Sequence, residues 1–120
     1  MNPALGLAAA RIVIGGVALA VPDVGAKLFR LDPAANPQLP YMTRLFGSRE
    51  LLLGAVTLVA RGKSRRHLVL AGVLVDAADA AAAYQAGEAG SVDRNTTVAL
   101  TVPALAAVVA GVVGAKGAGQ

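Results

Sequence analysis

The stretch Arg94-Asn-Thr-Thr-Val-Ala-Leu-Thr-Val-Pro-Ala-Leu-Ala-Ala-Val-Val-Ala-Gly-Val-Val-Gly-Ala-Lys116 carries no charged side chain between its first and last residues. A bilayer core is crossed by roughly 20 apolar residues at about 1.5 Å of helix rise each, and this run is long enough. Pro103 removes one backbone donor, which membrane helices tolerate when neighbours re-satisfy the freed carbonyl. The stretch predicts a transmembrane helix over about 94–115, and with it an integral membrane protein.

The composition of the whole chain points the same way. Apolar residues make up 56% of the 120 and charged residues 15%, against about a quarter charged in an average soluble domain. A soluble domain of this size keeps much of its surface in water and could not hide that excess. The absence of cysteine excludes disulfides, thiolate nucleophiles and thiolate metal sites. The single histidine, His67, lies beside Arg65 and Arg66 and reads as a solvated side chain, because a zinc site needs three or four ligands. No cofactor and no metal are expected.

Three more helices are predicted upstream, over about 4–21, 41–60 and 67–85. The first is interrupted only by Arg11. Its Ala18-Leu-Ala20 end also resembles a signal-peptide cleavage site, but the stretch is read here as helix one. Between Gly25 and Pro40, Pro33, Pro37 and Pro40 break the pattern. There Leu28, Phe29 and Leu31 suit a short interfacial segment.

The formal charge of +4 does not call for nucleic acid. Four of the eleven basic residues crowd into Arg61-Gly-Lys-Ser-Arg-Arg66 between two apolar stretches, as in a cytoplasmic membrane loop. The expected fold is therefore all-α, a four-transmembrane-helix bundle with N- and C-termini cytoplasmic. Residues 1–120 are expected to form a single multi-pass domain of a cell membrane. The aromatic residues Phe29, Tyr41, Phe46 and Tyr84 then fall near the outer interface. The many glycines and alanines suit close helix packing.

Charges at membrane depth are costly unless paired or hydrated, so they mark candidate sites. Counting rise along antiparallel helices brings Arg49 and Glu50 to the depth of Asp79, with Asp76 one turn further in. This register makes an Arg49–Asp79 pair and an Arg11–Asp76 pair both geometrically possible. Asp76 and Asp79 share one helix face, whereas the consecutive Arg49 and Glu50 diverge by about 100° and should address different neighbours. Arg44 sits nearer the surface. Asn95, Thr96, Thr97 and Thr101 form a polar stripe on helix four, with Thr97 and Thr101 on one face.

Two functions fit these residues. In the first, an outward-opening cavity binds a lipophilic small molecule or a lipid, with Arg11, Arg44, Tyr84, Thr97 and Thr101 as ligand contacts. Asp76, Asp79 and Glu50 would then serve as acid and base and Arg49 would stabilise an anion, a set suited to isomerisation, cyclisation or epoxide opening. In the second, the charges are a structural ion-pair network in a non-catalytic subunit of a larger membrane complex or a homo-oligomer. A proton relay or a magnesium-diphosphate site at Asp76-x-x-Asp79 is less suited to four short helices with a single acidic motif.

At Arg44-Leu-Phe-Gly-Ser-Arg-Glu-Leu-Leu-Leu-Gly54, followed by Asp76-Ala-Ala-Asp79, the chain resembles an uncharacterised family of small bacterial four-helix integral membrane proteins. That family carries R-x-x-G-x-R-E-x-x-x-G in helix two and acidic residues in helix three. The resemblance implies the four-helix topology and groups Arg44, Arg49, Glu50, Asp76 and Asp79 as one constellation. It implies no activity.

Overall fold

Asn2 opens the first helix by accepting the Ala4 amide at 2.7 Å, with Pro3 in the first position that needs no donor. The structure, a computed structural model, describes residues 2–118 and contains five helices and no strand among them. They are α1 (Pro3–Ala20), α2 (Pro22–Leu28), α3 (Leu39–Val59), α4 (Gly62–Glu88) and α5 (Arg94–Ala118). Three of them, α1, α4 and α5 over Arg94–Lys116, are long and apolar enough to cross a membrane. At 21 residues α3 has the length, but every 18-residue stretch of it contains Arg44, Arg49 and Glu50.

The connections are built from local chemistry. Pro22 forces the break after α1 and then starts α2, so the helical part of the connection begins before the expected interfacial segment and ends at Leu28. Arg30 closes α2 in the left-handed region at φ 63°, with the Leu31 amide donating to the Ala26 carbonyl and the Arg30 amide to that of Lys27. Gly90 does the same for α4 at φ 76°, where a residue without Cβ meets no penalty. α4 starts five residues earlier than the sequence suggested, because Arg65 donates to the carbonyls of Thr57 at 3.2 Å and Leu58 at 3.0 Å. Part of the basic loop is thereby drawn into a helix that caps the end of α3. Asp93 starts α5 by accepting the Thr96 amide at 2.7 Å.

α1 packs chiefly on α3 and α4 chiefly on α5, while α1–α5 contacts join the two pairs and α3 meets α4 only sparsely. The α1–α3 crossing is set by glycine. A Cβ on Gly47 would fall 2.7 Å from the Gly15 carbonyl oxygen and 2.8 Å from the Leu19 amide, so the two backbones touch.

The radial distribution is the reverse of a soluble core. Inside lie Ala4, Ala8, Ala18, Val69, Ala80, Ala83 and Ala115 with six polar or charged residues, whereas large apolar side chains such as Leu52, Val59, Leu74 and Val109 point outward. An apolar exterior over a small-residue interior suits lipid rather than water. The longest extent, 46 Å, is near the thickness of a bilayer with its headgroups, about 40–45 Å. The architecture is compatible with a membrane protein.

Two expectations follow. Gly47→Ala should force α1 and α3 apart and cost about 1–3 kcal/mol, while Gly16→Ala, whose Cβ would meet nothing within 4 Å, should leave stability unchanged or raise it by up to about 1 kcal/mol. Unfolding in detergent followed by circular dichroism checks the pair. The Thr96 backbone amide holds the Asp93 carboxyl below its ordinary range. The contribution of that cap is complete above the unfolded carboxyl pKa of about 3.9 and is lost as pH falls through the lower folded value. Asp93→Asn, which caps without titrating, should flatten that acid-side loss in a pH series of melting curves.

Candidate functional site

Three helices bury a stripe of mostly small residues in steps of three or four. The stripes are Ala4, Ala8, Arg11, Gly15 and Ala18 on α1, Thr43, Gly47, Glu50, Gly54 and Thr57 on α3, and Val69, Gly72, Asp76, Ala80 and Ala83 on α4. The third residue of each stripe is ionisable, and the three meet. Such spacing keeps one face turned inward over several turns, so Arg11, Glu50 and Asp76 are each delivered to the centre and each is at most 6% exposed.

Nη1 of Arg11 donates to Oε2 of Glu50 at 2.8 Å and to Oδ1 of Asp76 at 3.0 Å, while its Nη2 donates to Oδ2 of Asp76. The fork on Asp76 is bidentate, the strongest form of guanidinium–carboxylate contact. Gly72, one turn before Asp76, makes room for it. A Cβ there would lie 2.9 Å from Nη2 of Arg11.

The other oxygen of Glu50 extends the network. Nη2 of Arg49 donates to Oε1 of Glu50 at 3.3 Å and to Oδ2 of Asp79 at 2.8 Å, and its guanidinium lies 5.2 Å from the centre of the Phe46 ring. Charges therefore alternate along Asp76, Arg11, Glu50, Arg49 and Asp79. Formally the five sum to one negative charge. The inner members are buried, but the side chains of Arg49 and Asp79 keep 41% and 34% of their surface exposed along the sparse α3–α4 seam.

Both pairs made possible by helix register are present. The divergence of Arg49 and Glu50 holds for their main partners, α4 and α1 respectively, but the long Arg49 side chain curls back to Glu50 so that both join one network. Three carboxylates, from Glu50, Asp76 and Asp79, offer oxygens within 4.8 Å of one another, a spacing a cation could use. Two guanidinium groups already bond those oxygens, and their positive charge opposes a metal ion at the same place.

The remaining candidates lie elsewhere. Arg44 is exposed and its Nε points at the Leu19 carbonyl, 3.4 Å away, outside the network. Thr97 back-bonds to the Asp93 carbonyl at 2.9 Å. Thr101 has a buried hydroxyl with no partner among the described residues. Tyr84 and Thr97 line an open groove of about 400 Å³ between α4 and α5, together with Gly87, Glu88, Arg94 and Val98. Against the network itself, the void bounded by Arg11, Leu53, Thr57 and Gly72 has about 10 Å³, room for about one water molecule.

Sequence reading assigned no site role to Gly72, Phe46, Arg65, Glu88 or Arg94. Gly72 had a usable signal, a glycine four residues before an acid on the same helix face. The role of Arg65 had none, since a basic loop residue and a helix-capping residue look alike until the turn is folded. Comparison with protein-family models, with curated proteins and with solved structures gives no match.

Arg11→Met should leave two carboxylates buried without their shared partner and cost about 3–5 kcal/mol. Arg11→Lys should fall between, because one ammonium cannot supply the fork. Melting temperature in detergent and the recovered monodisperse fraction are the readouts, and wild-type melting of Arg11→Met would remove the network from its central place.

Proposed function

We propose that this chain is a non-catalytic, four-crossing subunit of a larger assembly in the bacterial inner membrane, with α3 as the fourth span. Its five-charge network is an electrostatic lock between the α1–α3 and α4–α5 pairs. The observation that carries this reading is the completed pairing of Arg11 with Glu50 and Asp76, all three buried, with a void of only about 10 Å³ bordering Arg11 on the side of Thr57 and Val69. A substrate site would need a cavity of about 300 Å³ or more.

Support for α3 as a span comes from its two faces. Glu50 turns inward at 5% exposure while Leu45, Leu52, Val56 and Val59 face outward, so the helix offers lipid an apolar surface, with Glu50 sheltered and Arg49 paired to Asp79. The basic turn at Arg61–Arg66 argues for a cytoplasmic position of that end, which puts both termini inside. The motif from Arg44 to Gly54 supports membership in the uncharacterised family of small four-helix membrane proteins. Exposed small residues on α4, among them Ala77, Ala78, Ala81 and Ala82, offer a partner helix a close approach.

A second reading, binding of a lipophilic small molecule, finds its support in the α4–α5 groove rather than in the charge network. Its volume is in the range of small-ligand sites, and Tyr84, Thr97, Val98, Glu88 and Arg94 combine apolar and polar surface.

Stability separates a lock from an active site, because functional clusters are usually held at a cost that neutralisation relieves. Glu50→Gln should lower stability by about 3–5 kcal/mol and Asp79→Asn, with its more exposed pair, by about 1 kcal/mol or less. Thermal melts in detergent measure both, and a rise in melting temperature for either variant would argue for a strained functional site instead.

A further inference from the structure

The charged side chains divide unevenly along the bundle. The end where Asn2 donates to the Gly114 carbonyl and Arg65 to those of Thr57 and Leu58 carries Arg61, Lys63, Arg65, Arg66 and Lys116, with no Asp or Glu. The opposite end balances Lys27, Arg30, Arg44 and Arg94 against Asp23, Asp32, Glu88 and Asp93. The net positive charge of the chain thus belongs to one end. Positive charge needed only for solubility would not have to be concentrated in this way.

That end is also open to a partner. Arg65 is committed to the α3 carbonyls, but Arg61, Lys63, Arg66 and Lys116 are exposed and none forms an ion pair among the described residues. Val69 and Ala115 pack together with Ala4, so the first turns of α4 and the last turns of α5 are neighbours and Lys116 joins the same surface. The first turn of α4 has no side-chain cap and no acid, which leaves its amide dipoles adding to the field.

We infer that this end is a binding surface for anionic phospholipid headgroups, with Arg61, Lys63, Arg66 and Lys116 as the contacts. The inference rests on the membrane-spanning reading above, which sets these residues at headgroup level. Basic side chains close to an anionic bilayer surface each add about 1 kcal/mol, or roughly a fivefold preference, by attraction that falls off within a Debye length. Phosphate diesters suit this surface because they bring a fixed negative charge and acceptor oxygens to donors that have no acceptor among the described residues.

The test is relative association of spin-labelled phosphatidylglycerol and phosphatidylcholine with the full chain reconstituted in phosphatidylcholine vesicles. A preference of about fivefold or more for phosphatidylglycerol is expected, weakening at high salt and persisting in added inorganic phosphate. Arg61→Gln/Lys63→Gln/Arg66→Gln/Lys116→Gln should abolish it, and Lys27→Gln at the neutral end should not. Equal association of the two lipids, a preference that survives in the quadruple variant, or complete displacement by inorganic phosphate would overturn the inference. Alkaline carbonate treatment of the same vesicles separates the two readings. Protein that resists extraction but shows no preference defeats this inference alone, whereas protein released by alkali defeats the spanning reading and this one with it.

Discussion

A guanidinium buried from water must find acceptors for its donors, and Arg11 finds them in Asp76, Glu50 and the Gly72 carbonyl, on two neighbouring helices. Much else in the structure serves that requirement. An arginine side chain reaches only a few ångströms beyond its own helix, so α1, α3 and α4 must come close together. Alanine and glycine flank each charge along the buried stripes for this reason. Bulky neighbours would hold the helices apart and strand the charges, whose desolvation is repaid only by good geometry.

The same constraint explains the division of the bundle into two pairs. α1 with α3 and α4 with α5 are joined by ordinary close packing, and α1 also contacts α5. Across α3 and α4, where packing is sparse, ion pairs take over. Packing between small residues is short-ranged and forgiving of sliding, whereas a forked arginine–carboxylate contact fixes both distance and orientation. The charges therefore supply register where packing does not.

Placing the polar groups inside leaves the exterior to Leu52, Leu74, Val109 and their neighbours. In water such a surface would drive association. In hydrocarbon it has no such drive, and the unsatisfied cost shifts to any interior group without a partner. The basic and the balanced ends then face different surroundings, and the asymmetry of charge becomes an asymmetry of possible contacts.

Much of this was legible in the residues. The uncharged run from Asn95 to Ala115, the interruption of α1 only by Arg11, and the three-residue spacing of Asp76 and Asp79 follow from local pattern, because helix periodicity alone decides which side chains share a face. Depth counting along antiparallel helices also brought Arg49 to Asp79 and Arg11 to Asp76. What the tertiary structure alone decided was that Glu50 bridges the two arginines, that the void beside Arg11 has room for about one water molecule, that Arg65 caps α3, and that the α4–α5 groove is lined by Glu88 and Arg94. These depend on how far apart the helix axes lie and how they are rotated. Those quantities come from the packing of all the stripes at once, and no single stretch of sequence contains them.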